Sequence, residues 1–365
     1  MTGGTPKTSI SEYWEPKKIP WMSSGEVNKR RLDKTDNMIS EEGLDNSSAR
    51  WIKKHSVLIA LAGQGKTRGT VAVNNINLTT NQSIAAIVPN DNLHYEFIYQ
   101  NLTKRYDELR MISSGDGTRG GLNKQIVSDV IILSPSKEEQ IRIGAFFKRL
   151  DYAITLHQRK LDQLKELKKA YLQVMFPEKD EIVPRMRFVD FEGEWELCKL
   201  GDVANRYDNL RVPITASKRI SGNTPYYGAN GIQDFVEGYT HDGEFILVAE
   251  DGANDLKDYP VQYVNGKVWV NNHAHVLQAK QSIANNKFLM NAIKNINIEL
   301  FLVGGSRAKL NADIMMKLEI NMPVKNEQIR VSEFCTQLDN IITIYQNKLN
   351  QLKSLKKSYL QNMFI

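Results

Sequence analysis

The sequence predicts an α+β chain built twice over, with two globular modules alternating with two long helices. Two observations carry this. A segment of 38 residues near the middle recurs at the C-terminus without a gap. Ahead of each copy lie short apolar runs closed by polar, glycine-containing turns, the pattern of buried strands.

Residues 139–176, EQIRIGAFFKRLDYAITLHQRKLDQLKELKKAYLQVMF, match residues 327–364, EQIRVSEFCTQLDNIITIYQNKLNQLKSLKKSYLQNMF. The offset is 188 throughout, and 23 of 38 positions are identical. Chance does not produce such a match, and a repeat governs how the whole chain is read.

Each copy reads as one helix. Neither contains proline, and Gly144 is the one interior glycine. Apolar residues fall at steps of four and three: Leu150, Ile154, His157, Leu161 and Leu164, then Tyr171 and Met175. The second copy gives Leu338, Ile342, Tyr345, Leu349, Leu352, Tyr359 and Met363. This is a heptad-type seam, interrupted at Lys168 and Lys356. About 38 residues at ~1.5 Å each span roughly 57 Å. A lone helix of that length cannot bury its stripe. The near-identical stripes predict that the copies pack on each other as a coiled coil; the alternative is that each lies on its own module.

The repeat continues upstream. Pro135 aligns with Pro323, Leu122-Asn123 with Leu310-Asn311 and Arg119 with Arg307 at offset 188. Phe97 meets Phe288, and Asn81 meets Asn272, at offset 191. SVLIALAG at 56–63 resembles EFILVAEDG at 244–252. The charged, proline-bounded stretch from Pro177 to Pro184 reads as a linker. The modules diverge while the helices do not, so the helices read as a shared frame and the modules as exchangeable heads.

Composition narrows the class. Of 365 residues, 41% are hydrophobic and 25% charged. No apolar run approaches the ~20 residues of a membrane span, and the N-terminus reads as no secretory signal. Two cysteines, Cys198 and Cys335, share no metal-ligand spacing and point to a reduced, cytoplasmic setting. The net charge of +6 favours an acidic partner such as nucleic acid.

Several motifs invite chemistry. Ala60–Thr67 satisfies a relaxed phosphate-loop pattern, which would make the chain a nucleotide-hydrolysing enzyme or a nuclease using Lys66. The helix such a loop needs is missing, since RGTVAVNNINLTT reads as strand and turn. The loop's Gln64, Lys66, Thr67 and Arg68 suit a phosphate backbone or base edges; the other reading is a solvated basic hairpin turn. Asn223-Thr-Pro-Tyr226 comes near a methyltransferase motif, departs from it at the second residue, and reads as a turn presenting Tyr226 and Tyr227. Asn230 lies just beyond. His273 and His275 share one strand face without an obvious third metal ligand, and read as hydrogen-bonding residues in or near the core. Arg119 and Arg307 follow Gly/Ser loops in matching frames. Each either reaches a phosphate or guanine edge or ties its module to the helix start.

Taken together, these residues resemble the specificity subunit of bacterial type I restriction-modification enzymes. GGTPKTSISEYW, EEGLDNSSA, VLIALAGQGKTRG and TNQSIAAI carry the resemblance in the first module. YYGANGI, GYTHDGEFILVAEDGA and VWVNNHAHVLQ carry it in the second, with the doubled EQIR…LKKAYLQVMF and EQIR…LKKSYLQNMF ends. The resemblance implies two α/β target recognition domains, at 1–135 and 191–323, each reading half of a split asymmetric duplex site. It implies central and distal conserved helices at 136–176 and 324–365, with a linker at 177–190. The helices would pair as an antiparallel coiled coil through Leu150, Ile154, Leu161, Leu164, Leu338, Ile342, Leu349 and Leu352. Catalytic residues, metal and cofactor are not expected in this chain. Two methyltransferase subunits carrying S-adenosylmethionine would modify adenine N6, and restriction subunits would cut DNA with ATP and Mg2+. The DNA-facing set expected is Gln64, Lys66, Thr67, Arg68, Arg119, Tyr227, Asn230, His273 and Arg307. The second module opens with Phe191-Glu-Gly-Glu-Trp195-Glu-Leu-Cys-Lys-Leu200-Gly-Asp-Val, which has no counterpart in the first. The first domain is therefore expected to lack its opening strand.

Overall fold

The computed structural model describes residues 2–63, 65–112, 121–178, 181–305 and 308–364. The chain divides into two compact units. The first holds Met1–Gln158 and Asn347–Ile365, the second Arg159–Gln346.

In the first unit the strands are β1 (Ile19–Met22), β2 (Arg31–Leu32), β3 (Asn37–Ile39), β4 (Val57–Ala60), β5 (Val71–Asn74), β6 (Thr79–Thr80) and β7 (Ile84–Ile87). They form sheets in the orders β2-β5-β4-β7 and β3-β1-β6. The helices are α1 (Glu41–Asp45), α2 (Tyr95–Lys104), α3 (Tyr106–Ile112), α4 (Lys124–Ser128) and the start of α5 (Lys137–Met175). Every residue of β4 and β5 is buried. Alternation sends Val57, Ile59, Val71 and Val73 against Ile98 and Leu102 of α2. Leu58, Ala60 and Ala72 face Met22, Leu32 and Leu78 on the other side. A strand covered on both faces needs such an unbroken apolar run.

The second unit has β8 (Glu196–Lys199), α6 (Leu200–Val203), β9 (Ala204–Arg206), β10 (Ser221–Gly228), β11 (Gly231–Val236), β12 (His241–Ala249), β13 (Val261–Val270), β14 (Ala274–Ala279), α7 (Asn286–Lys294), α8 (Ala312–Met315), β15 (Glu319–Met322) and the start of α9 (Lys325–Met363). Its sheets run β11-β10-β13-β12-β14-β9 and β15-β8. Ile246 and Val248 of β12 face Phe288 and Leu289 of α7. Phe245 and Leu247 face Val264, Val268 and Val276. Tyr226 sits within β10, 1% exposed, with its hydroxyl bonded to the Ile214 backbone. That corrects the expectation of a turn presenting it.

The two plans register closely. Leu61 O accepts from Leu122 N at 3.1 Å, and Glu250 O accepts from Leu310 N at 2.8 Å, so Leu61 and Glu250 occupy one position. Asn81 Oδ1 accepts from the Ser83 amide, and Asn271 Oδ1 from the His273 amide. Asn81 thus matches Asn271, one residue from the Asn272 expected, because the offset grows stepwise through the loops.

Helices α5 and α9 span 39 residues each, in register at 188. Their shared start anchors each module. Gln140 Nε2 donates to Asn92 O and Pro135 O, and its Oε1 accepts from His94 N. Gln328 repeats this with Ile283 O, Pro323 O and Asn285 N. Gly144 is explained by close approach: a Cβ there would lie 2.9 Å from Glu96 Cβ.

Within each unit, α5 and α9 meet. In the first, Phe147 stacks on Phe364 at 5.7 Å and Phe146 meets Tyr359 at 5.1 Å. In the second, Tyr171 meets Phe334 at 5.1 Å. Four residues past Phe147, Asp151 meets Lys356, eight before Phe364; three before Tyr171, Lys168 meets Asp339, five after Phe334, so within each unit the two helices run antiparallel. Lys168 and Lys356 are not breaks in the seam. Lys356 pairs with Asp151 and Lys168 with Asp339, each at 2.5 Å, and the two pairs are related by the repeat. Leu150, Leu161, Leu164, Leu338 and Leu349 are buried; Ile154, Ile342 and Leu352 are half-buried. Near the end of α9, burial passes to Leu360 and Phe364 and leaves Tyr359 and Met363 exposed, because Phe364 docks on Phe97 and Phe147.

Candidate nucleic-acid interface

In the first unit the candidate interface lies at the β4–β5 connection. The strands are antiparallel neighbours, so residues 61–70 must reverse the chain. Gly63, Gly65 and Gly69 do this with φ of 141°, 60° and 80°, values that side chains disfavour. The turn is pinned through its backbone. Tyr106 Oη and Thr70 Oγ1 each donate to Lys66 O at 2.8 Å, and Arg110 Nη1 donates to Gly65 O at 2.8 Å. Asn28 Nδ2 donates to Thr67 Oγ1 at 3.3 Å. These bonds leave the Lys66 side chain exposed, with Thr67 and Arg68 half-buried beside it. Arg30 Nη1 reaches Val71 O where the turn rejoins β5. Cations therefore gather at one end of the sheet. A strand follows the turn, so no helix N-terminus is presented to a phosphate and the nucleotide-hydrolase reading lacks its structural basis.

The equivalent connection in the second unit, residues 250–260 between β12 and β13, is organised by a buried ion network. Glu250 accepts from Arg211 Nη1 and Lys309 Nζ, each at 2.6 Å. Asp208 lies 2.7 Å from His275 Nδ1 and accepts from the Val276 amide at 2.8 Å. His275 Nε2 lies 2.8 Å from Leu310 O. Burial opposes the Glu250 charge, but the hydrogen bonds from Lys309 and Arg211 outweigh it and hold the carboxyl below its ordinary range. Asp208 is lowered likewise: burial works against it, while His275, the Val276 amide and Arg211 favour the anion. Asp208, Glu250 and His275 lie close enough to suggest a metal, with ligand atoms within 4.8 Å of one another. Arg211 and Lys309 already neutralise those carboxylates, and a divalent ion would sit against two cations. The donor set fits an ion network and not a metal centre.

The expected residues fall into three groups. Asn230 and His273 come together on this loop: Asn230 Nδ2 donates to Gly252 O and its Oδ1 accepts from Asn254 N, while His273 Nδ1 lies 2.5 Å from Asp251 Oδ1. Tyr227 is half-buried in the core beneath, and burial raises its phenol. Lys66, Thr67 and Arg68 share the other unit's turn. Gln64, Arg119 and Arg307 lie outside the described residues; Leu122 and Leu310, just downstream of the two arginines, touch the starts of the two loops. Tyr106, Arg110, Arg211 and Lys309 were not singled out from sequence. Lys309 stood in plain view two residues after Arg307, whereas Arg211 lies 39 residues from Glu250 with no local pattern to mark it.

Fold and site together define a two-headed binding protein whose heads share one plan and differ in the loops they present. The model for the type I restriction modification DNA specificity domain matches residues 1–166 and again 192–354. The chain belongs to that family. A putative type I restriction enzyme specificity subunit of Haemophilus influenzae is 46% identical over 150 residues, 40% of this chain and 38% of that one. The EcoR124I/EcoR124II specificity subunit of Escherichia coli is 27% identical over 152 residues, 41% and 37% of the two chains. The chain thus matches less than two-fifths of the length of these two relatives. The MjaIX specificity subunit of Methanocaldococcus jannaschii is 25% identical over 302 residues, 76% and 69% of the two chains. In fold, the chain resembles the crystal structure of a type I restriction-modification S subunit from M. genitalium, with TM-score 0.70 and 16% identity over 100% of this chain and 93% of that one.

Proposed function

We propose that the chain is the non-catalytic DNA-specificity subunit of a type I restriction-modification complex. Each unit reads one part of a bipartite, asymmetric duplex site. Methyltransferase and restriction subunits supply the chemistry, with their S-adenosylmethionine, ATP and Mg2+. The observation that carries this reading is the placement of two unlike polar loops, 61–70 and 250–260, at one position of the repeat. A shared scaffold with divergent loops suits two different half-sites, as phosphate contacts position a protein and base contacts specify.

Recruitment of two methyltransferase copies is supported by exposed apolar residues that recur along the helices. Ile141 and Ile329, Leu156 and Ile344, and Leu167 and Leu355 are each between 37% and 64% exposed. Solvent-facing apolar positions kept in both copies are what two equal docking surfaces need.

The test is binding of the full chain to duplex DNA carrying the methylated sequence of the host genome, across a salt series. Affinity should fall steeply with salt, and Lys66→Ala should weaken binding with a slope smaller by about 0.9. Salt-independent binding, or ATP hydrolysis by the purified chain, would overturn the reading.

A further inference from the structure

In each unit the loop at the candidate interface is held by side chains from elsewhere in that unit, and the hold is on its backbone. In the first unit α3 does this. Tyr106 Oη donates to Lys66 O and Arg110 Nη1 to Gly65 O, each at 2.8 Å. Arg110 Nη1 also donates to Tyr106 Oη at 2.8 Å, and its guanidinium lies 5.6 Å from the centroid of the Tyr106 ring. The two side chains thus act as one clasp, half-buried against the turn. Gly69 lets α3 come this close: its φ is 80°, and a Cβ there would lie 3.4 Å from Arg110 Cγ.

The second unit holds its loop from a different element. Where the first has the seven residues of α3, the second has a short 3-10 turn, Ile298–Phe301, and the offset between the modules falls from 191 to 188 across this stretch. The clasp comes instead from the turn between β10 and β11. Asn230 Nδ2 donates to Gly252 O at 2.8 Å, and Asn230 Oδ1 accepts from the Asn254 amide at 2.9 Å. The loops 61–70 and 250–260 differ in sequence and in the element that holds them. They share one property: the bonds end on main-chain groups, which stay the same when a loop side chain is exchanged. The Lys66, Asn254 and Lys257 side chains are exposed and take no part in either clasp.

We propose that Tyr106 and Arg110 in the first unit, and Asn230 in the second, are positioning residues for base reading: each clasp fixes the backbone of its loop so that the loop's own side chains meet base edges in one placement. The inference rests on the proposed function and deepens it. Reading a base depends on donor and acceptor geometry at the groove edge, whereas attraction to phosphates does not. A loop released from its clasp still carries its charge to the duplex, but its side chains sample several placements. Binding to duplex of any sequence is then largely kept, and the preference among bases is lost in that unit's half of the site alone. Asn230 thereby leaves the expected DNA-facing set and passes that role to the loop it holds.

The experiment recovers the duplexes that the full chain binds from a pool randomised in both halves of the methylated host sequence. Tyr106→Phe keeps the ring and removes one donor. The preference for the favoured bases should fall by about threefold to tenfold in one half of the site, the worth of one hydrogen bond, with the other half unchanged. Asn230→Ala should flatten the other half and spare the first. Ile98→Val trims the core against β4 and β5 and reports on stability alone; it should leave both profiles as they are in the unaltered chain. Profiles unchanged by Tyr106→Phe and Asn230→Ala, flattening of both halves by either one, or equal flattening by Ile98→Val would overturn the inference. An unaltered chain that selects no sequence in either half would instead remove the proposed function beneath it.

Discussion

At one position of the repeat the two units solve the same problem with opposite chemistry. Where the second unit places Glu250, His275 and Lys309 in an ion network, the first places Leu61, Ala85 and Gly121. One is closed by apolar contact, the other by charge. Val57–Ala60 ahead of the first loop and Phe245–Ala249 ahead of the second are both buried throughout, so the scaffold tolerates either. The difference teaches that this scaffold fixes where a loop sits and leaves open what the loop is made of.

The sharpest way to break the comparison is Arg211→Ala. It leaves Glu250 and Asp208 short of a cation in a buried site, and should destabilise the second unit by about 3–5 kcal/mol. Unfolding followed by hydrogen exchange should show the first unit unchanged. A second contrast lies in the helices. Asp151 serves Lys356, Arg31 and Gln100 together, and Arg31 also pairs with the buried Glu96. Asp339 pairs with Lys168 and is 43% exposed. Asp151→Ala should therefore cost about 2–3 kcal/mol, because charges in a partly buried network lose a partner. Asp339→Ala should cost less than about 1 kcal/mol, as exposed pairs do. Equal costs in urea unfolding would remove the distinction. The smallest effect is with pH. Glu250 and Asp208 are lowered in the folded state from 4.5 and 3.8. Their stabilisation is fully present above those values and is lost as pH falls through the still lower folded ones. Thermal melts from pH 6 to 2.5 should show acid loss in the second unit that Glu250→Leu combined with Lys309→Gly reduces.

Much of the frame was legible because helices declare themselves locally. The steps of three and four located α5 and α9, and a constant offset tied them together. Lys168 and Lys356 looked like faults in the seam because their partners, Asp339 and Asp151, lie 171 and 205 residues away. Only the folded chain brings those together. Tyr226 is hidden for a related reason: Asn-Thr-Pro reads as a turn, yet β10 carries it through with a register shift between Ser221 and Thr224. The Lys66 loop is legible as a turn between strands, since glycines and β-branched residues act locally. The ion network was not legible, because its members come from segments as far apart as Asp208 and Lys309, and nothing in either neighbourhood marks a partner.

The constant register of the two helices has a genetic consequence. A crossover between the two helix-coding stretches that joins Gln158 to Asn347 is in frame and restores one uninterrupted helix of the original length. The product holds the residues of the first unit and no others. In it Asp151 and Lys356 lie on the same helix and too far apart to meet, so each can find its partner only on another copy. Such a half-length chain should therefore assemble as a symmetric pair with two identical heads. Under the proposed function, its target would change from an asymmetric sequence to an inverted repeat. A single in-frame deletion inside this one gene would thus turn two unlike heads into two identical ones while keeping one helix of the original length.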